Sequence, residues 1–319
     1  MIVSMSMFKY LRVSVTDRCN YRCIYCMPEA GICKQPHEQI LRYEEMLVVI
    51  KAAVETGVSQ VRITGGEPLV RAGIVDFIGQ LALLQGLDDL TLTTNGALLD
   101  KMAVPLKKAG LKRVNISVDS LDPVNFRKIT RVGELADVLR GIDAAIDAGL
   151  APVKINTVLI PGLNDQEILN FADLAVNKGI SVRFIERMPF NGDDITKPLE
   201  FISEAKVLQT IKEKYELVPA GEHSFGPAKN FQIRGTAGKI GLISSRSAPF
   251  CHLCRRLRLT SNGFLLPCLD SQHGTNVRGM TDHEIKNVIA SLYREKASWQ
   301  KNKACFAATF DRSLSKIGG

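Results

Sequence analysis

Six β-rich segments, each apolar on one side and polar on the other, constrain this fold most. They cover residues 10–15, 61–64, 90–94, 114–118, 153–159 and 182–186. Successive side chains of a strand point to opposite faces, so residues two apart share a face. Arg12, Ser14 and Thr16 share one face, as do Arg62 and Thr64. The same holds for Thr91, Thr93 and Asn95, for Asn115, Ser117 and Asp119, and for Lys154 and Asn156. The opposite faces carry Val13, Val15, Val61, Ile63, Val114, Ile116, Val118, Val153 and Ile155. Amphipathic stretches at 43–56, 72–84, 134–148 and 165–178 lie between strands. Gly57, Gly110, Gly149 and Gly179 fall where helix C-caps are expected. This alternation predicts parallel βαβ units. A doubly wound sheet would be apolar on both faces. A closed eight-stranded barrel would fill its interior with branched apolar side chains. The pattern predicts instead an α/β chain forming a partial (β/α)6 barrel of the TIM type. Helices lie outside, and the polar lumen is wet or ligand-filled.

Cysteines supply the chemistry. Cys19, Cys23 and Cys26 stand in a C-x3-C-x2-C loop just after the first strand. A cubane iron–sulfur cluster normally takes four thiolates. Three thiolates leave one iron open, as an open coordination position marks a catalytic zinc site. A zinc knuckle is the plainer alternative. With Tyr25 directly before Cys26, and Gly65-Gly66-Glu67-Pro68 after the second strand, the loop resembles the radical S-adenosylmethionine superfamily. That resemblance implies that the open iron chelates the amino and carboxylate groups of S-adenosylmethionine. An electron from the cluster then cleaves it to a 5′-deoxyadenosyl radical. The glycines let the backbone come close to the cofactor's methionine end.

Composition changes after about residue 190, predicting a core over 1–200 and a C-terminal α+β extension over 201–319 that binds substrate. A turn is expected at 191–194, and a helix at 203–215 with Ser203 as N-cap. Short strands follow at 231–234, 240–244, 257–260 and 263–266, with a hairpin turn at Ser261-Asn262-Gly263. A last helix is expected at 281–296. Here lies a second triplet, Cys251, Cys254 and Cys268. Zinc would need a fourth ligand such as His252 or His273. The preferred reading is a second iron–sulfur site with an open iron. Arg256 and Arg258 share a strand face and converge on one anion, whose phosphate oxygens suit the guanidinium fork.

The two triplets and the arginine strand together resemble the GTP 3′,8-cyclase (MoaA) family of molybdenum cofactor biosynthesis. Its blocks match at 12–28, 62–71, 92–96, 115–119, 183–188, 240–269 and 317–319. The resemblance implies two 4Fe–4S clusters, held by Cys19, Cys23 and Cys26 and by Cys251, Cys254 and Cys268. It implies GTP contacts from Arg12, Arg62, Thr93, Lys154, Arg256, Leu257 and Arg258. It implies S-adenosylmethionine contacts from Tyr25, Gly66, Ser117 and Met188, some through the backbone. Arg12, Lys154, Gly318 and Gly319 are the residues it points to for catalysis. The radical would take the ribose C3′ hydrogen, and the carbon radical would attack guanine C8. Reduction would then give 3′,8-cyclo-7,8-dihydro-GTP. A reducing electron donor and a downstream cyclic pyranopterin monophosphate synthase are the implied partners, for a monomer or a homodimer.

Other features narrow the class. The net charge of +8 favours an anionic partner. The arginines are scattered, without a basic run interleaved with aromatics, so a small polyanion fits better than nucleic acid. No run of eighteen apolar residues suggests a membrane span, and a reduced, oxygen-labile cluster suits the cytoplasm. Cys33 and Cys305 match no ligand position. A peptide-maturing radical enzyme would carry a longer cysteine series, with four ligands per accessory cluster. A two-cluster electron carrier would need saturated ligation and no basic lumen. The tail, ending in Gly318-Gly319, is thin enough to thread the lumen and delivers a carboxylate among its cations.

Overall fold

The computed structural model describes residues 8–188, 200–221, 227–269, 271, 273–301 and 314–317. The first half alternates as anticipated. Strand β1 (Tyr10–Ser14) leads through the first cysteine loop to α1 (Tyr43–Glu55) and β2 (Gln60–Thr64). Then come α2 (Ile74–Ala82), β3 (Asp89–Thr94), α3 (Leu99–Lys108) and β4 (Arg113–Ser117). Helices α4 (Pro123–Thr130) and α5 (Leu135–Asp147), β5 (Lys154–Leu159), α6 (Ile168–Lys178) and β6 (Ser181–Glu186) follow. Local signals set the ends. Asp122 caps α4 by accepting from the Asn125 N–H, with Pro123 at the first helical position. Gly179 closes α6 in the left-handed region at φ +62°.

Strands β1 to β6 pair in parallel and in sequence order. Their outward residues form the core against the helices: Leu11, Val13, Val61, Ile63, Leu92, Val114, Ile116, Ile155 and Val182 are all fully buried. Burying that face is the main driving force for the fold.

The C-terminal part extends this sheet at both edges. After α7 (Glu204–Lys212) come β7 (Leu217–Pro219), β8 (Lys229–Ile233) and β9 (Lys239–Ile243). Strand β9 pairs in parallel with β6, and β8 and β7 continue antiparallel. The chain then crosses to the other edge. There β10 (Arg256–Leu259) pairs in parallel with β1, and β11 (Phe264–Leu266) and β12 (Thr275–Asn276) follow antiparallel. The described strands form one twelve-stranded open sheet, β12-β11-β10-β1-β2-β3-β4-β5-β6-β9-β8-β7. Helix α8 (Asp282–Lys301) packs on α1, and α9 (Leu314–Ile317) ends the described chain. Ser203 caps α7 as anticipated, accepting from the Lys206 N–H at 3.3 Å. No described helix is long and apolar enough to cross a membrane.

Candidate functional site

Strand register places the inward-facing residues in rows. Arg258 lies opposite Arg12, and Arg12 opposite Arg62. Arg62 lies opposite Thr91, whose hydroxyl accepts from the Arg62 Nε–H at 3.1 Å. One step toward the N-terminal ends, Arg256 lies opposite Tyr10 and Tyr10 opposite Gln60. On the far side Asn115 pairs with Lys154, and Asn156 with Arg183. Together these residues wall a cavity of about 450 Å³. Of its described lining residues, eight are lysines or arginines and three are carboxylates. Each carboxylate has protein donors: Asp89 holds Arg113, Asp119 accepts from Tyr25, and Glu186 accepts from the 246 and 247 amides. The remaining cations therefore face one another across the cavity.

That crowding shows in their proton affinities. Burial first, then the Arg258 guanidinium, drives Arg12 well below its ordinary value. Arg62, Arg183 and Arg258 are lowered the same way, by burial first and then partly by neighbouring guanidinium groups. Arginine stays protonated in proteins, so these shifts record burial and a strongly positive potential among neighbouring cations. Lysine can yield its proton, and Lys154 is pushed down to about 7 by burial and by Arg183, Arg113 and Arg62. Burial would raise the Tyr10 phenol, but Arg62, Arg12, Arg256 and Arg113 outweigh it and lower it. The Tyr10 ring meets two of these groups at 5.5 Å (Arg62) and 5.8 Å (Arg256). Thr93 Oγ1, both side-chain polar atoms of Asn115, Asn156 Oδ1 and Arg183 Nε are buried at the wall without a protein hydrogen-bond partner. Buried polar atoms normally find partners, and a polar ligand would supply them here.

The first cysteine loop sits over the C-terminal ends of the parallel strands, where enzymes of such barrels place their chemistry. Backbone contacts clamp it. The Gly66 N–H donates to Thr16 O at 2.7 Å, and the Glu67 N–H to Arg18 O at 2.8 Å. A Cβ on Gly66 would lie 2.4 Å from Arg18 O and 2.8 Å from Asp17 O. In this structure the glycine is needed because the two backbones touch. Glu67, buried behind it, accepts from the Leu69 and Asn95 amides and from the Thr94 hydroxyl. Burial still holds its carboxyl up at about 7. Tyr25 donates to Asp119 at 2.8 Å, which places the third cysteine's neighbour at the lumen wall.

The second triplet lies at the opposite end. Cys254 precedes β10 and Cys268 follows β11, so both project beyond the N-terminal end of β1. Cys251, Cys254 and Cys268 line a second cavity of about 90 Å³ with Phe250, Leu269 and Trp299. Arg256, Arg258 and Met188 line both cavities, so the two adjoin. Burial would raise the Cys254 thiol, but Lys296 and Arg256 outweigh it and lower it. No three described His, Cys, Asp or Glu side chains converge tightly enough for one metal ion. A cubane makes a different demand, since each thiolate binds its own iron and the sulfurs stand apart around a void. Neither His252 nor His273, the two histidines considered as a fourth zinc ligand, is among the described residues that line this cavity.

The lumen brings together Arg12, Arg62, Thr93, Lys154, Arg256, Arg258, Tyr25, Ser117 and Met188. Leu257 is an exception: it is fully buried opposite Leu11 on the outer face, so only its backbone could serve a ligand. Cys33 is exposed and stands apart. Gly318, Gly319 and Cys305 lie outside the described residues. Sequence reasoning passed over Tyr10, Arg113 and Arg183 as wall residues, though Tyr10 and Arg113 follow by twos from Arg12 and Asn115; no inward residue had been assigned on the strand of Arg183. It also missed Lys296 and Gln300, whose helix carries no such marker.

The Radical SAM superfamily model matches residues 13–175, and the Molybdenum Cofactor Synthesis C model matches 180–306. The GTP 3′,8-cyclase of Alkaliphilus oremlandii is 46% identical over 313 residues, 97% of each chain. That of Pelotomaculum thermopropionicum is 49% identical over 315 residues, again 97% of each. Among solved structures, Streptococcus suis SuiB bound to S-adenosylmethionine has a TM-score of 0.62 at 16% identity. It covers 98% of this chain and 70% of that one. Native anSMEcpe with bound AdoMet has a TM-score of 0.57 at 13% identity, covering 96% and 94%. These two likenesses concern the fold.

The clamp under the first loop is testable. Gly66→Ala forces backbone apart and should cost about 1–3 kcal/mol, as overpacking does. Denaturant unfolding should show that loss, and iron bound by the first loop should fall with it. Native stability with native iron would mean that the close approach is unimportant.

Proposed function

Since the chain belongs to the GTP 3′,8-cyclase family of radical S-adenosylmethionine enzymes, we propose that its lumen binds GTP between two iron–sulfur sites. The reaction is conversion of GTP to 3′,8-cyclo-7,8-dihydro-GTP, the entry step of molybdenum cofactor biosynthesis. One observation carries the reading: eight cations and three committed carboxylates line the cavity. A triphosphate is the small polyanion that such a surface calls for.

When bound, the first cluster and S-adenosylmethionine supply a 5′-deoxyadenosyl radical at the upper end of the lumen. Cys19, Cys23 and Cys26 hold that cluster, while Tyr25, Gly66, Ser117 and Met188 border the cofactor. At the lower end Cys251, Cys254 and Cys268 would hold a second cluster, which would supply an open coordination position for the guanine. Strand β1 spans five residues between these ends, roughly 16 Å at ~3.3 Å per residue. A nucleotide bridges that span with its ribose facing the radical. Arg12, Arg62, Arg256, Arg258 and Lys154 grip the phosphates, and Thr93 offers its unpartnered hydroxyl. Loss of the C3′ hydrogen and closure of the C3′–C8 bond leave an unpaired electron on the purine. One electron and one proton complete the product, the electron coming from a reducing donor.

The tail belongs to the same site in this reading. Ile317 is buried against Leu266, and Leu314 lines the lumen beside Met188. Gly318 and Gly319 follow that anchor in sequence, and their role here is to position groups for the radical step.

Two expectations follow from the lumen's charge, and a third from the tail. Arg256→Ala and Arg258→Ala each remove a charge-assisted contact worth ~1.5–3 kcal/mol, so GTP affinity should fall roughly ten- to a hundredfold. Calorimetric titration measures it, and native affinity in both variants would move the substrate elsewhere.

Lys154 predicts a pH dependence. Its ammonium is half lost near pH 7 in the empty lumen, and a bound triphosphate raises its proton affinity. Binding therefore takes up a proton above that pH, and affinity should fall by up to about tenfold per unit as pH rises. Lys154→Met should lack this descending limb while keeping the nucleotide's own titration. Parallel pH profiles for the two proteins would contradict the assignment.

Truncation after Ile317 should leave melting and iron content unchanged while cyclisation collapses. Normal turnover without the two glycines would make the tail a bystander.

A further inference from the structure

Helix α8 lays two side chains on the back of the second cysteine loop. Lys296 and Gln300 are four residues apart and share a helix face. Lys296 is 5% exposed. Its ammonium donates to Cys254 Sγ at 3.3 Å, to Arg256 O at 2.7 Å and to Pro267 O at 2.8 Å. Three donors thus meet three acceptors, one beside each of two ligand segments and one on a ligand itself. Gln300 Nε2 donates to Cys251 O at 2.7 Å and to Cys254 O at 2.9 Å. The amide holds the loop's backbone, and the ammonium adds charge.

A buried ammonium is costly unless it is paired. Two of the Lys296 acceptors are neutral carbonyls, and among the described residues it forms no ion pair with a carboxylate. The remaining partner, Cys254 Sγ, can carry negative charge. A cubane with three thiolates is net negative and becomes more so on reduction. Hydrogen bonds to its sulfurs and nearby charge set its potential. A fixed cation on one ligand sulfur favours the reduced state.

We propose that Lys296 is a positioning residue for the second iron–sulfur site, where its ammonium holds the Cys254 thiolate and raises the cluster's reduction potential. Gln300 shapes the same loop without tuning its charge. The inference rests on the reading that Cys251, Cys254 and Cys268 hold a cluster.

The test uses full-length protein reconstituted anaerobically with iron and sulfide. A Cys23→Ala background leaves only the second site to be observed. Redox titration followed by electron paramagnetic resonance compares native Lys296 with Lys296→Met, Lys296→Arg and Gln300→Met. At the parent's midpoint potential, Lys296→Met should lower the reduced-to-oxidised ratio at least tenfold, a shift of about 59 mV for one electron. Lys296→Arg should restore most of it, and Gln300→Met should stay near the parent. An unshifted potential in Lys296→Met overturns the proposal. So does an equal shift in Gln300→Met, which would assign the effect to loop geometry. If Lys296→Met holds no cluster, a loaded Lys296→Arg at the parent's potential supports the proposal. Failure of both to load makes the side chain a scaffold only and overturns it. A parent protein that binds no iron at all would overturn the second-site reading itself, a result distinct from any effect of Lys296.

Discussion

Concentrated positive charge inside a β-sheet is the constraint on which this structure turns. Arg258, Arg12 and Arg62 stand side by side across three adjacent strands. Arg62 and Arg258 are buried and Arg12 is half-buried, and the guanidinium groups of Arg258 and Arg62 both lower the proton affinity of Arg12. Like charges this close repel by several kcal/mol where water is scarce. The fold tolerates this because the opposite face of the same strands is wholly apolar and packed on helices. Hydrophobic burial outside holds the sheet, and the lumen is left free to be poised for an anion. Lys154 feels the same field, and burial followed by Arg183, Arg113 and Arg62 pushes its ammonium down to about 7.

The C-terminal segment completes that lumen. Strand β10 could have formed a separate sheet, but it pairs in parallel with β1 and adds Arg256 and Arg258 to rows begun by Tyr10 and Arg12. The same pairing carries Cys254 and Cys268 to the end of the sheet opposite the first cysteine loop. Two cysteine triplets, far apart in sequence, therefore bracket one cavity. The bracket matters for radical chemistry, because a substrate anchored at one end presents a chosen carbon at the other.

Much of this was legible in advance, for one reason. Strand alternation is strictly local, so the inward positions of Arg12, Arg62, Thr93, Ser117 and Lys154 could be read by counting in twos. Helix ends were legible within a residue or two where a cap spoke, as at Ser203 and Gly179. Other features were hidden because they depend on distant partners. Nothing near residue 256 says that it will lie beside residue 10. Helix α3 carries Pro105 in its interior, a residue that argues against helix until packing overrides it. Gly66 was expected to make room for a cofactor, whereas its immediate neighbours are the backbone atoms of Asp17 and Arg18. Leu257 entered the substrate set through the family resemblance, and alternation sends its side chain to the core. Lys296 sits on an ordinary polar helix, and only the docking of α8 on α1 reveals what it touches.

The account's central claim is that the lumen holds GTP with its ribose C3′ turned toward the first cysteine loop. GTP deuterated at C3′ tests it most directly, incubated anaerobically with the reconstituted protein, S-adenosylmethionine and a strong reductant. The account predicts deuterium in the 5′-deoxyadenosine released, together with a cyclised product that has lost the label. Unlabelled 5′-deoxyadenosine formed alongside turnover of GTP would contradict it, because another hydrogen would then face the radical.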